Sequence, residues 1–241
     1  MNPTDLESLE RATVEAVAPP QILEIGGWLV PLDSGAIGRA RSAAPLRHDL
    51  GPEAIGEIAA VYRDHGLPPR FRIADVVSLA PVCAELTRKG FTAEQPTIFK
   101  TGLIDRLAAF SKASAHILDT PDDPWAAVFL GEGFDPSEAA LRMASLTRSP
   151  DAIYGAAGPV GATQAIGVMT FGHGWAGIHG MRTTPAHRGK GLASAILATL
   201  GREAQARGVT RVFLQVEEAN PARRIYRAAG LTQGWRYRYW R

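Results

Sequence analysis

The stretch Arg182-Thr-Thr-Pro-Ala-His-Arg-Gly-Lys-Gly-Leu-Ala-Ser-Ala-Ile-Leu197 changes character at its middle. Before it, Trp175 to Thr183 reads as a strand. After it, Leu192 to Arg207 reads as a helix, with Leu192, Ile196, Leu200 and Ala204 on one face and Gly208 as its stop. A chain that leaves a strand, turns through Gly189 and Gly191 and launches a helix has the first helical N–H groups unpaired and pointing outward. Those donors and the positive end of the helix dipole make an anion site. The glycines can take φ > 0, and Arg188 and Lys190 add charge. A phosphate or pyrophosphate suits such a turn.

Composition narrows the class. The 241 residues are enough for one large domain or two small ones. The net charge of +2 gives no global reason to expect nucleic acid as a partner. The single cysteine, Cys83, excludes an internal disulfide framework and a cysteine-based metal cluster, which suits a reducing cytosol. The N-terminus carries Asp5, Glu7 and Glu10 and lacks the apolar core of a signal peptide. No apolar run approaches the ~20 residues of a membrane span. The expectation is a cytoplasmic protein with no membrane or nucleic-acid partner, a monomer or a homodimer.

Other elements follow from pattern. Helices are expected from Pro3 to Val17 and from Gly51 to His65, the second with an apolar stripe of Ile55, Ile58, Ala59 and Tyr62. Strands are expected at Ile22 to Pro31, at 69–75, at 95–101 and at Trp125 to Leu130. Asp135-Pro136-Ser137-Glu138 opens a helix. A strand pair follows at 151–156 and 163–171, joined by a Gly-Pro-Val-Gly turn. RVFLQVE at 211–217 alternates as a strand, and Asn220-Pro221 starts a short helix with Asn220 as its N-cap. The aromatic and Arg alternation of 235–241 reads as a core strand rather than an RNA-stacking surface. Segments 51–102 and 191–240 echo each other, each reading helix, strand, helix, glycine, strand. Only the second carries the Arg-Gly-Lys-Gly turn.

Three phosphate motifs compete for that turn. Gly-x-x-x-x-Gly-Lys-Ser/Thr is not matched. Gly-x-Gly-x-x-Gly is nearly met by Gly189, Gly191 and Ser194, with Glu217 and Glu218 after the next strand. Yet Thr184 to His187 intervene between strand and glycines, and too little chain remains to complete a doubly wound half. The third, Arg/Gln-x-x-Gly-x-Gly/Ala, is met in part by Arg188-Gly189-Lys190-Gly191-Leu192-Ala193. Together with LQVE, Asn220-Pro-Ala-Arg-Arg-Ile-Tyr226, Ala-Gly-Leu and an aromatic last strand, this run resembles the GNAT superfamily of acyl-CoA-dependent N-acetyltransferases over residues 163 to 241.

The resemblance implies a mixed α/β fold, a mostly antiparallel sheet with flanking helices, in tandem. Residues 1–103 would be a degenerate GNAT-like domain and 104–241 the catalytic one. It implies acetyl-CoA as co-substrate and a small-molecule or peptide amine as acceptor, with no metal. Backbone N–H groups of Arg188, Gly189, Lys190, Gly191, Leu192, Ala193 and Ser194 would hold the coenzyme pyrophosphate. Met181, Arg182 and Thr183 would pair with the pantetheine arm as an added strand. The strand at 211–217 would splay away to leave a slot for the thioester, and Asn220 would contact the coenzyme arm as well as cap its helix.

Two residues are candidates for chemistry. Tyr226 matches the family tyrosine that assists the leaving thiolate, or it is simply the buried face of a short helix with Ile225 and Ala222. The strand 175–183 has no carboxylate to serve as base. His179 is its titratable group, as in arylalkylamine acetyltransferases, and either it or a water takes the amine proton; the bland alternative is a structural histidine. A non-catalytic acyl-CoA sensor stays open as the other reading. The acceptor pocket would be built from loops such as 131–150 and 156–163, with the N-terminal half contributing a wall.

Overall fold

The computed structural model describes residues 3–131, 135–159 and 161–241. Helix α1 (Pro3–Glu15) precedes a hairpin of β1 (Gln21–Ile25) and β2 (Trp28–Leu32), and β3 (Ala44–Pro45) pairs with the far side of β2. A single strand was expected across 22–31. Gly26 and Gly27, at φ 55° and 80°, instead fold it back through a two-residue turn that few other residues could adopt.

The first echo segment holds α2 (Ile55–Asp64), β4 (Phe71–Ala74), α3 (Ala80–Arg88) and β5 (Ala93–Leu103). The stripe Ile55, Ile58, Ala59 and Tyr62 is the buried face of α2. Next come α4 (Ile104–Ala108), β6 (His116–Leu118), α5 (Asp123–Leu130), α6 (Pro136–Thr147), β7 (Ile153–Ala157), β8 (Ala165–Gly172) and β9 (Trp175–Thr183). The second echo segment supplies α7 (Leu192–Ala206), β10 (Arg211–Glu217), α8 (Arg223–Ala228) and β11 (Thr232–Trp240).

The run Trp125–Leu130 is helix, not the expected strand. Asp122 accepts a hydrogen bond from the Trp125 N–H at 2.8 Å, and proline stands in the first turn. Both are helix-start signals, and a six-residue apolar run has no periodicity strong enough to override them. The Trp125 indole then donates to the Gly155 carbonyl at 3.2 Å, fixing α5 on β7.

Eight strands form one sheet in the order β4-β11-β5-β10-β9-β8-β7-β6, antiparallel except where β10 runs parallel to β9. Within it β11 lies between β4 and β5, while β5 lies between β11 and β10. The last strand of each echo segment is thus inserted into the other. Seven residue pairs join β10 to β5, from Arg211↔Leu103 to Glu217↔Thr97.

Strand alternation splits β10 between two cores. Phe213 joins Trp28, Ile55, Tyr62, Phe71, Phe99 and Trp235 on the face covered by α1, α2 and the small sheet. Val212, Leu214 and Val216 join Ile196, Leu197, Leu200 and Leu107 on the α7 face. Trp235, Tyr237 and Tyr239 are buried, so the aromatic C-terminus is core strand. On the first face, Arg72 of β4 and Glu10 of α1 form an almost fully enclosed ion pair, with guanidinium–carboxylate contacts of 3.2 and 2.5 Å.

Without β5, residues Gln215 to Glu217 would have no strand partner on either edge. Residues 104–241 expressed alone are therefore expected to show no cooperative thermal unfolding by circular dichroism. Residues 1–103 supplied as a separate chain should restore it. A sharp transition from the fragment alone would contradict the mutual dependence of the two segments.

Candidate active site

The pairing of β9 with β10 begins at Trp175↔Arg211 and ends at Ile178↔Leu214. From His179 and Gln215 onward the two strands separate, leaving a slot in the sheet. On its other edge β9 stays paired to β8 through Ala165↔Thr183, with a bulge where Gly180 takes φ 58°. The edge of 179–183 that faces β10 therefore has backbone groups and no strand to bind them. Met181, Arg182 and Thr183 all lie on this edge. Arg182 donates to the carbonyls of Phe129 and Gly131, tying the slot's margin to the end of α5.

The slot runs toward the turn before α7. A short helical turn, Pro185–His187, hands over to Arg188, Gly189, Lys190 and Gly191, all exposed. Gly189 and Gly191 have φ 77° and 79°, and a Cβ on either would meet nothing within 4 Å. The backbone conformation, rather than crowding, is what requires glycine at both. Gly191 is the N-cap of α7 and no side chain caps it. The first α7 bond runs from Ala195 N–H to the Gly191 carbonyl at 3.0 Å. The N–H groups of Leu192, Ala193 and Ser194 therefore face outward unpaired, with Arg188 and Lys190 beside them. His187 is held by Thr184 through Nδ1 at 2.8 Å.

Tyr226 lies on α8, 8% exposed, in the core with Ile178, Leu197 and Val216. Its hydroxyl makes no hydrogen bond with any described residue, and burial pushes its pKa up to about 12. Ala222 and Ile225 pack against the same core. Asn220 does not stand directly at the helix start. Its Oδ1 accepts from Ala222 N–H at 2.9 Å and so caps a lead-in turn, and α8 itself begins at Arg223.

His179 is on the opposite face, 5% exposed, edge-on to Phe213. Its Nδ1 is 3.2 Å from Nη2 of Arg39, and its Nε2 is 3.1 Å from Oγ1 of Thr170. A guanidinium can only donate, so Nδ1 accepts and the ring proton sits on Nε2, directed at Thr170. Burial first, and the nearby charge of Arg39 second, hold the imidazole pKa well below its usual value. The ring is a neutral acceptor with both nitrogens engaged.

Arg39 and Thr170 were not legible as site residues. Arg39 sits in a Gly/Ala-rich turn with no period or motif, 140 residues from the histidine it touches. Thr170 is an ordinary strand residue whose role follows only from the β8·β9 register. The other histidine of the region, His173, points away and meets Glu15 at 2.8 Å. Trp175 donates from its indole to Ser8 at 3.0 Å and is a strand aromatic of the core.

A family model described as "Probable histone acetyltransferase Rv0428c C-terminal" matches residues 4–240. The chain belongs to this family. It is thereby a member of the GNAT superfamily of acetyltransferases, and the solved structures agree on the fold. A GCN5-related N-acetyltransferase from Kribbella flavida superposes with TM-score 0.71 at 14% identity, covering 98% of this chain and 94% of that one. A conserved protein of unknown function from Staphylococcus epidermidis also reaches 0.71 at 14% identity, covering 93% and 94%. A tandem GNAT protein from the clavulanic acid biosynthesis pathway reaches 0.63 at 18% identity, covering 98% and 92%. No curated protein matches the chain in sequence.

The bonding of His179 has a direct readout. Nitrogen-15 NMR of the ring is expected to report one neutral Nε2–H tautomer even below ~6.5, where a free histidine is already mostly protonated. Because the folded pKa lies below the unfolded one, stability contributed by neutral His179 is complete above ~6.5 and declines as the pH falls below it. An imidazolium signal at about pH 6 in the folded protein would contradict the Arg39 contact.

Proposed function

We propose that the protein transfers an acetyl group from acetyl-CoA to a primary amine by direct attack. Residues 104–241 carry the chemistry in this reading, and 1–103 is a degenerate relative that completes the sheet. The observation that carries it is the open β9/β10 slot ending at an uncapped helix N-terminus with two glycines at positive φ. The pyrophosphate would sit on the N–H groups from Arg188 to Ser194. The pantetheine amides would pair with the free edge at Met181 to Thr183, and Asn220 would meet the coenzyme arm. The protein is expected to work in the cytoplasm as a monomer or homodimer.

In the reaction the amine nitrogen attacks the thioester carbonyl, the C–N bond forms, the C–S bond breaks and the sulfur leaves with the electron pair. Tyr226 is placed by motif to meet that sulfur. Burial holds the Tyr226 phenol in its protonated form, which suits it to donate a hydrogen bond to the developing thiolate. Of the two bases open to the amine, His179 and water, the engagement of both imidazole nitrogens favours water, with His179 fixing Arg39 at the slot.

The same neutral, bonded His179, and the lack of any carboxylate on the strand 175–183, favour one second reading: a protein that binds acyl-CoA without turning it over. Free-thiol release from acetyl-CoA across a panel of amines separates the two. Release with at least one amine supports transfer. No release with any, alongside a thermal shift on adding acetyl-CoA, supports the sensor. Within the transfer reading, Tyr226→Phe should lower kcat by roughly 10- to 100-fold, the worth of one hydrogen bond to a charged group. The Kd for acetyl-CoA should stay within about twofold of the parent. Unchanged kcat would remove Tyr226 from the mechanism.

A further inference from the structure

A groove of about 270 Å³ opens beside the slot, on the sheet face that carries His179. Its floor is β10, β5 and β11, and its walls come from the 36–41 turn and α6. Five arginines line it, at 39, 41, 70, 142 and 241, against two glutamates, 138 and 217. The two carboxylates are engaged within the groove itself: Glu138 lies 3.7 Å from Arg142, and Glu217 accepts from Gln95 at 2.8 Å. Arg241 is paired with Glu94.

Arg39, Arg41 and Arg70 are different. None of the three forms an ion pair with a described residue, and the Nε of each is buried without a hydrogen-bond partner. Burial, and repulsion from neighbouring guanidinium groups, push their pKa values down. All three side chains are half-buried, and a guanidinium partly withdrawn from water without an ion-pair partner favours an added counter-charge. The hydroxyl-bearing rings of Tyr237 and Tyr239 line the same space. Cations outnumber carboxylates in the groove, five to two.

Its position ties that anion to the chemistry. Arg39 is the residue whose Nη2 touches His179. Gln215, which lines the groove with a buried and unpartnered Oε1, is the first residue of β10 past its last pair with β9. The groove and the slot therefore adjoin at Gln215, with Arg39 reaching from the groove to His179.

We propose that this groove holds an anionic group of the acceptor, so that the substrate is a primary amine also bearing a carboxylate or a phosphate. The cluster repels polyamines and lysine-rich chains, whose own cations would meet Arg39 and Arg41. This rests on the transfer reading for the word acceptor, though the anion site itself does not. Arg41 and Arg70 supply affinity for the anion. Arg39 bridges from it to His179, which sets the distance between the anion and the reacting nitrogen.

The test is a comparison of amines with the intact enzyme and saturating acetyl-CoA. β-Alanine and 2-aminoethyl phosphate carry the anion, ethanolamine is the neutral control, and spermidine and a lysine-rich peptide are the cationic arms. KM for an anionic amine is expected to be roughly 10- to 100-fold below that of ethanolamine, and β-alanine against the phosphate tells which anion the groove takes. Arg41→Gln should erase most of that difference while leaving KM for acetyl-CoA unchanged. Equal KM values, or preference for the cationic amines, would overturn the inference while leaving the transferase intact.

If no amine is turned over, calorimetry with succinate and inorganic phosphate decides. Binding that Arg41→Gln and Arg70→Gln both weaken upholds the anion site. No binding, or binding indifferent to both substitutions, overturns it. Failure of acetyl-CoA to bind at all counts against the transfer reading alone.

Discussion

The slot in the sheet exists because β10 is secured on its far side. A strand that parts from one neighbour halfway along must keep the other, or its backbone groups lose their partners and the end frays. β10 parts from β9 after Leu214 yet stays paired to β5 as far as Glu217. That second neighbour comes from the other echo segment. The opening on one half of the chain is thus held by a strand from the other half, and β11 in turn lies between β4 and β5. The enclosed Glu10–Arg72 pair ties α1 to β4 and closes the far end of the same arrangement.

Charge is distributed around the opening by face. On the α7 side the described surroundings of Tyr226 are apolar, which keeps the phenol protonated and suits it to donate. On the α1 side a chain of polar contacts runs from Arg39 through His179 to Thr170 and on to the Gly177 carbonyl. In such a relay each group has one role fixed by its neighbour: the guanidinium donates, the imidazole accepts and donates, the hydroxyl accepts and donates. This fixes the tautomer and leaves the side chain little freedom. Its neighbours hold His179 as a neutral ring with both nitrogens engaged.

Legibility in the sequence followed how local each constraint was. Positive φ at Gly189 and Gly191, a helix start without a side-chain cap, and the α2 stripe are demands on a few consecutive residues, and the residue types record them. The strands Trp175–Thr183 and Arg211–Glu217 were readable from alternation alone. Failures came where two local signals disagreed or where the partner was distant. Trp125–Leu130 is apolar enough for a strand, but Asp122 and Pro124 start a helix there. The Gly26–Gly27 turn was overlooked inside a run of β-formers. The exchange of β5 and β11, and the approach of Arg39 to His179, join residues more than a hundred positions apart, and nothing in either stretch names the other.

The strand exchange also imposes an order on the nascent chain. β5 is complete at Leu103, yet the strand that lies on one of its edges ends only at Trp240. At ribosomal rates of ~5–20 residues per second, β4 and β5 emerge on the order of ten seconds before β11 exists to separate them. During that interval both present bare edges and the aromatic faces of Phe71 and Phe99 to solvent or to a chaperone. The native sheet therefore cannot close around β4 and β5 until β11 has been made.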